Sequence, residues 1–253
     1  MAYGMVLGIF FVSGALGLGY QVLWSKVILN FTGVSALSYS IVLAAFMGGL
    51  AIGSAIFGRF ADRVSSPLKW YAYLEFAISL YAVSYLSLTT FAENAYARWM
   101  FEAADPASSI AGLWAKGIVA ALLLLFPTIC MGGTFPLLLK QVTENAQAVG
   151  RRAAHLYGIN AAGAVVGALA MAYVMIPGMG LTNSLTALAV CNGLIAVVAL
   201  IAGGIYPGRT HGPTVPDQPP LDIGPDGLSS RRFRLCFVLI FVEGLICFVY
   251  EIA

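Results

Sequence analysis

No charged side chain occurs between Met1 and Ser25. A helix of that length, rising 1.5 Å per residue, can cross the roughly 30 Å hydrocarbon core of a bilayer. A secretory leader would need a basic n-region and a shorter apolar stretch, so the segment, about residues 3–25, reads as a retained transmembrane helix. Five more segments pass the same test: residues 34–57, 68–90 (its interior interrupted only by Glu75, after Lys69 at its start), 112–139, 156–176 and 181–206. A seventh begins near Phe233 and is still apolar at Ala253. Charged residues make up 9% of the chain, against roughly 25% in a soluble domain. That is too few to cover a water-facing surface. The expected fold is all-α, a polytopic membrane helix bundle.

The connections differ in character. Residues 91–110 mix Glu93, Arg98, Trp99, Glu102 and Asp105 with apolar positions, a composition suited to a short helix lying at the membrane interface. Residues 207–230 are rich in Pro, Gly and Asp and lack apolar periodicity, as in a flexible linker. Positive charge fixes the expected orientation. Arg59, Arg63, Lys69, Lys140, Arg151, Arg152, Arg209, Arg231, Arg232 and Arg234 follow even-numbered helices, and only Lys26, Arg98 and Lys116 fall on the other side. By the positive-inside rule the amino terminus is cytoplasmic.

The two ends of the chain resemble each other. Phe11-Val12-Ser13-Gly14 followed by Tyr20-Gln21-Val22 resembles Phe241-Val242-Glu243-Gly244 followed by Tyr250-Glu251-Ile252 at a constant offset. The expected organisation is therefore a six-helix unit (1–206), a cytoplasmic linker (207–230) and the first helix of a second repeat (231–253). Parallel repeats of six helices are a transporter architecture.

The loop Gly58-Arg59-Phe60-Ala61-Asp62-Arg63 matches the opening of the Gly-x-x-x-Asp-Arg signature of the major facilitator superfamily. Here Gly58 is expected to let backbones approach, and Asp62 to accept from a basic partner or cap a helix. Asp62 and Arg63 would then gate the cytoplasmic side. The plainer reading is a cluster of interfacial charges, and Ser65-Ser66-Pro67 replaces the later, basic part of the signature. Gly49 with Gly53, and Gly163 with Gly167, have the small-x-x-x-small spacing that brings helix axes close. Static packing is the simpler use of that spacing and a sliding surface the other. Polar residues inside membrane segments cost free energy and so point to function. Glu75, Gln21, Asn160 and Glu251 are the candidates for lining a substrate cavity. Carboxylates without a deep lysine suit a cationic solute or proton coupling, but Glu75 has a plainer reading as the ion-pair partner of Lys69 or Arg63 near the cytoplasmic edge. Pro127 and Pro136 are expected to kink the fourth helix.

Four stretches together carry a family resemblance: Tyr20-Gln21-Val22-Leu23-Trp24, Leu43-Ala44-Ala45-Phe46-Met47-Gly48-Gly49, Pro127-Thr128-Ile129-Cys130-Met131-Gly132-Gly133-Thr134-Phe135-Pro136, and Tyr157-Gly158-Ile159-Asn160-Ala161-Ala162-Gly163-Ala164. In order and spacing they resemble the membrane part of the fused major-facilitator/spermidine-synthase-like proteins. That resemblance implies a six-helix half of a transporter-like bundle in a bacterial inner membrane, handling a small polar or cationic solute. Another polypeptide, or the remainder of the same protein, would complete it. The rival reading is a membrane anchor or scaffold subunit of a larger complex.

Other chemistries find little footing. The string Gly14-Ala15-Leu16-Gly17-Leu18-Gly19 lies inside a membrane helix with no strand before it, so it reads as packing glycine and not as a nucleotide cradle. No nucleophile–base arrangement stands out, so catalysis is not expected from these residues. Cys130, Cys191, Cys236 and Cys247 sit in apolar runs, and His155 and His211 lack ligand-spaced partners; neither a metal nor a cofactor is expected. No basic block is dense enough for nucleic acid.

Overall fold

A computed structural model describes residues 2–102, 110–143 and 148–206. The expected linker at 207–230 and the expected helix at 231–253, with Glu243 and Glu251, lie outside the described residues. Those described form α1 (Ala2–Thr32), α2 (Ser35–Ala61), α3 (Pro67–Glu102), α4 (Ile110–Val142), α5 (Val149–Ala170) and α6 (Ile176–Ile205), with a π-helical turn at Met171–Met175. No strand occurs among them. Five helical stretches are long and apolar enough to cross a membrane: Tyr3–Thr32, Ser38–Ala61, Pro67–Arg98, Trp114–Val142 and Val149–Ile205. The last contains both α5 and α6. It is interrupted at Gly180, whose φ of 77° and ψ of 175° are not helical.

Several helix boundaries differ from the sequence expectation, and two of them have a clear cause. Helix α1 runs on past Ser25 to Thr32, because Ser25 returns its hydroxyl to the Gln21 carbonyl at 2.8 Å and nothing breaks the backbone ladder. It stops where Gly33 takes φ 75° and gives its N–H to the Leu29 carbonyl at 2.8 Å, a left-handed cap that favours glycine. Of the expected interfacial helix at 91–110, residues 91–102 are not separate, and 103–109 lie outside the described residues. Residues 91–102 continue α3, since no Gly or Pro intervenes and Ala92, Ala95 and Ala97 favour the helix. At 36 residues, α3 is about 54 Å long, more than the roughly 30 Å of a hydrocarbon core.

The main packing pairs are α1 with α5, α2 with α4, and α3 with α6; α1 also meets α2, α4 and α6, while α4 meets α3 and α5. Exchanging α1 for α4, α2 for α5 and α3 for α6 leaves this set of pairs unchanged. The bundle is two helix triplets in matching arrangements.

Close glycine crossings hold the first two pairs together. A Cβ on Gly163 would run into the Phe11 carbonyl, and one on Gly167 into that of Ala15; Tyr3 meets His155 at the same offset, 3.1 Å from hydroxyl to Nδ1. Helices α1 and α5 therefore run parallel. Gly49 faces Thr128, and Gly53 faces Ile129 with a Cβ position 3.0 Å from the Gly132 Cα, so α2 and α4 are parallel as well. All four glycines selected by spacing are used, and the Gly14 backbone is pressed against Asn160 in the same way. Gly58 is not used so: a Cβ there would meet nothing within 4 Å. Its expected role in close approach is corrected accordingly.

Helix α4 continues through Pro127 and Pro136. Each proline removes the N–H that would bond the carbonyl four residues earlier, freeing those of Leu123 and Gly132. Both are claimed from neighbouring helices: the Tyr81 hydroxyl of α3 donates to the Leu123 carbonyl, and the Ser54 hydroxyl of α2 donates to that of Gly132 at 2.9 Å. Within a bilayer such replacement is what makes an internal proline tolerable. Removing one donor should show it. Ser54→Ala is expected to cost about 1–2 kcal/mol in thermal denaturation, and Pro136→Ala, by restoring the N–H, to recover most of that loss. Additive losses in the double variant would refute the pairing.

Candidate functional site

Glu75 lies in the middle of the α1–α3–α6 contact and is 1% exposed. Its neighbours explain how a carboxyl group is tolerated there. Ser13 of α1 donates to Oε1 at 2.6 Å. From α6, the Asn192 side-chain amide donates to Oε2 and approaches the Glu75 main-chain carbonyl at 3.4 Å. The Tyr71 hydroxyl, one turn earlier on α3, belongs to the same cluster. Four residues after Glu75, Ser79 donates to the Ala189 carbonyl of α6 at 2.7 Å. Polar groups sealed from water are tolerated only when their hydrogen bonds are made.

The expectation that Glu75 pairs with Lys69 or Arg63 is therefore corrected: its described hydrogen bonds go to neutral groups. Six residues apart on a helix, Lys69 and Glu75 point to different faces. Lys69 lays its stem along Gly203 of α6, where a Cβ would come within 2.8 Å of the lysine Cγ, and Arg63 is exposed.

The other candidates do not gather on Glu75. Gln21 is half-buried on α1. Asn160 is half-buried on α5, with its main chain and Oδ1 against Gly14. Of the gating candidates, Asp62 caps the end of α2 and pairs at 3.7 Å with Lys140 in the last turn of α4. The two side chains are 77% and 30% exposed, so the pair adds little to stability. It does bring the ends of α2 and α4 together. Gln141 similarly reaches the Tyr206 carbonyl at the end of α6, at 3.2 Å, and Arg152 stacks over the Tyr3 ring at 4.0 Å. The basic residues from Arg59 to Arg152 thus collect at the end holding the amino terminus, apart from Arg98 and Lys116. At the other end Lys116 lies over the Phe31 and Tyr96 rings, 5.8 and 5.1 Å from their centres.

Sequence reasoning missed Asn192, Ser13, Tyr71 and the aromatic groups beyond them. Tyr20 stacks on Trp24 with ring centres 5.0 Å apart, and Trp24 meets Tyr85 at 5.4 Å. All three rings are fully buried, yet Tyr20 Oη, Trp24 Nε1, Tyr85 Oη and, on α6, Ser184 Oγ have no hydrogen-bond partner among the described residues. Asn192 carried a usable signal, being an amide within an apolar run, the same signal that singled out Asn160. No grouping of metal-binding side chains occurs among the described residues. No protein-family model, curated protein or solved structure matches this chain.

Proposed function

We propose that the described helices are a six-crossing, amino-terminus-in half of a transporter-like membrane unit that handles a small polar or cationic solute. The observation that carries this reading is the matched pair of helix triplets. If α5 and α6 are separate crossings, each triplet has an odd number of passes, so the second is inverted relative to the first, as in many secondary transporters. Support for separate crossings comes from direction: α5 runs with α1, whereas α6 runs against α3 through Glu75–Asn192 and Ser79–Ala189, with Gly180 as the point of reversal.

Corresponding helices α2 and α5 also carry small residues on a second face, exposed Ala44, Ala51 and Ala55 with half-buried Gly48 on one and exposed Ala154, Gly158 and Ala161 on the other. These faces suit further helices from the same protein or another polypeptide. The resemblance to the membrane part of spermidine-synthase-like fusions points the same way, and suggests an amine as solute and the bacterial inner membrane as location. In this reading the solute cavity lies beside half-buried Gln21, outside the sealed Glu75 cluster, and the Asp62–Lys140 contact closes the cytoplasmic end.

Uptake of radiolabelled aliphatic diamines and neutral amino acids into proteoliposomes tests it. Saturable uptake is expected for one class, reduced about tenfold in Gln21→Leu. Protein correctly inserted but with no uptake above empty liposomes would leave the second reading, a membrane anchor or scaffold, which the dry packing around Glu75 favours.

A further inference from the structure

We propose that Glu75 is a proton-carrying group of the bundle, loaded and unloaded through the buried hydroxyls of Tyr20, Ser184 and Tyr85. The proposal deepens the transporter reading by supplying a coupling proton, but its geometry stands without any solute.

Three features converge. First, the carboxyl group sits in a sealed interior with neutral hydrogen-bonding partners, Ser13 and Asn192, and with Tyr71 beside it. Among the described residues, the titratable groups within electrostatic reach of it are Tyr20 of α1, Tyr71 of its own helix and Cys130 of α4, and Cys191 of α6 lies in turn within reach of Tyr20. None of these supplies a positive charge, so nothing described holds the group permanently ionised.

Second, the buried polar atoms do not stop at Glu75. They continue along the α1–α3 seam through Tyr20 and Trp24 to Tyr85, ten residues further on α3, or about 15 Å. The antiparallel register set by Asn192–Glu75 and Ala189–Ser79, carried on along α6, brings Ser184 level with this part of the seam. The path leads from Glu75 towards the end of the bundle where Lys116 lies.

Third, the groups along it have hydrogen-bonding capacity to spare. Buried hydroxyls and indole N–H groups in native proteins are nearly always paired, with protein or with ordered water. Three of them on the α1–α3 seam, with Ser184 of α6 level with it, have no protein partner among the described residues, and in this proposal bound water bridges them. A hydroxyl both donates and accepts, so Tyr20, Ser184 and Tyr85 with bridging water can pass a proton along by exchanging donor and acceptor roles. Trp24 only donates, and so orients that water. The step is balanced: the proton leaving the Glu75 carboxyl is taken by the adjacent water or hydroxyl, and one is released at the far end.

Infrared difference spectroscopy of the whole chain in lipid nanodiscs tests this directly. A carboxylic C=O band is expected that rises and falls with pH, is missing in Glu75→Gln and shifts promptly on transfer to D2O. Tyr20→Phe with Ser184→Ala should keep the band and slow its exchange about tenfold or more. Should Glu75→Gln fail to fold, Glu75→Asp keeps the carboxyl and moves the band. Absence of a band belonging to residue 75, a band that exchanges only on unfolding, or an exchange rate unchanged in the double variant would each overturn the proposal. None of these outcomes depends on solute uptake, so failure here is separable from failure of the transport reading.

Discussion

Gly167→Leu is expected to prevent stable folding of the bundle, while Gly158→Leu, nine residues earlier on the same helix, leaves it folded. The contrast follows from what each glycine faces. At Gly167 even a methyl group would press into the Ala15 carbonyl, 2.6 Å from the Ala15 Cα. Backbone cannot move aside as a flexible side chain can, so α1 and α5 would have to separate along their whole crossing. Forcing single methylenes into packed interiors costs about 1–3 kcal/mol, and a leucine against main chain exceeds that range. At Gly158 nothing lies within 4 Å. Alanine there gains up to about 1 kcal/mol of helix propensity, so Gly158→Ala is expected to raise the melting temperature and Gly167→Ala to lower it. Monomer recovery after heating in detergent, followed by size-exclusion chromatography, reads both signs. Equal effects at the two positions would mean that α1 and α5 do not cross where described.

The spacing of small residues is legible in the sequence because it is a local property: Gly163 and Gly167 fall on one helix face whatever that face meets. Which helix they meet is not legible, since α1 and α5 are far apart in the chain. Segment length is legible for the same kind of reason, bilayer thickness being a fixed external measure. It cannot set ends such as Thr32 or Glu102, in helices longer than the core is thick. Glu75 marks where local sequence stops being informative. A search for its partner by opposite charge and nearness in sequence arrives at Lys69 and Arg63, whereas tertiary packing delivers Ser13 and Asn192, neutral residues from two distant helices. Gly58 errs in the other direction, a motif position whose expected close contact has no neighbour to meet. The prolines of α4 suggest kinks, but what makes them tolerable, Tyr81 and Ser54 on other helices, has no local signature.

Asn192→Asp should be among the most damaging conservative substitutions in the molecule, and Glu75→Gln should repair it. The Asn192 amide donates to Glu75 Oε2, and the residue itself is 2% exposed. Replacing the amide by a carboxyl removes that donor and sets two carboxyl groups face to face in a region sealed from bulk water. Burial of an uncompensated charge and loss of a buried hydrogen bond together are worth on the order of 3 kcal/mol or more. Exchanging the roles restores the interaction: with Glu75→Gln and Asn192→Asp combined, the gap again holds one amide and one carboxyl, with the donor now on α3. The double variant is therefore expected to melt near the unsubstituted protein, a coupling of about 2 kcal/mol in a double-mutant cycle. Ser13 adds a control, since its hydroxyl can donate to a side-chain oxygen at position 75 whether that group is a carboxyl or an amide. Ser13→Ala should therefore lower stability about equally in the unsubstituted protein and in the double variant. If Asn192→Asp proved harmless by itself, the α3–α6 contact at Glu75 would have to be open to water. If instead the exchange failed to rescue it, the Asn192 amide would not be the group that satisfies Oε2.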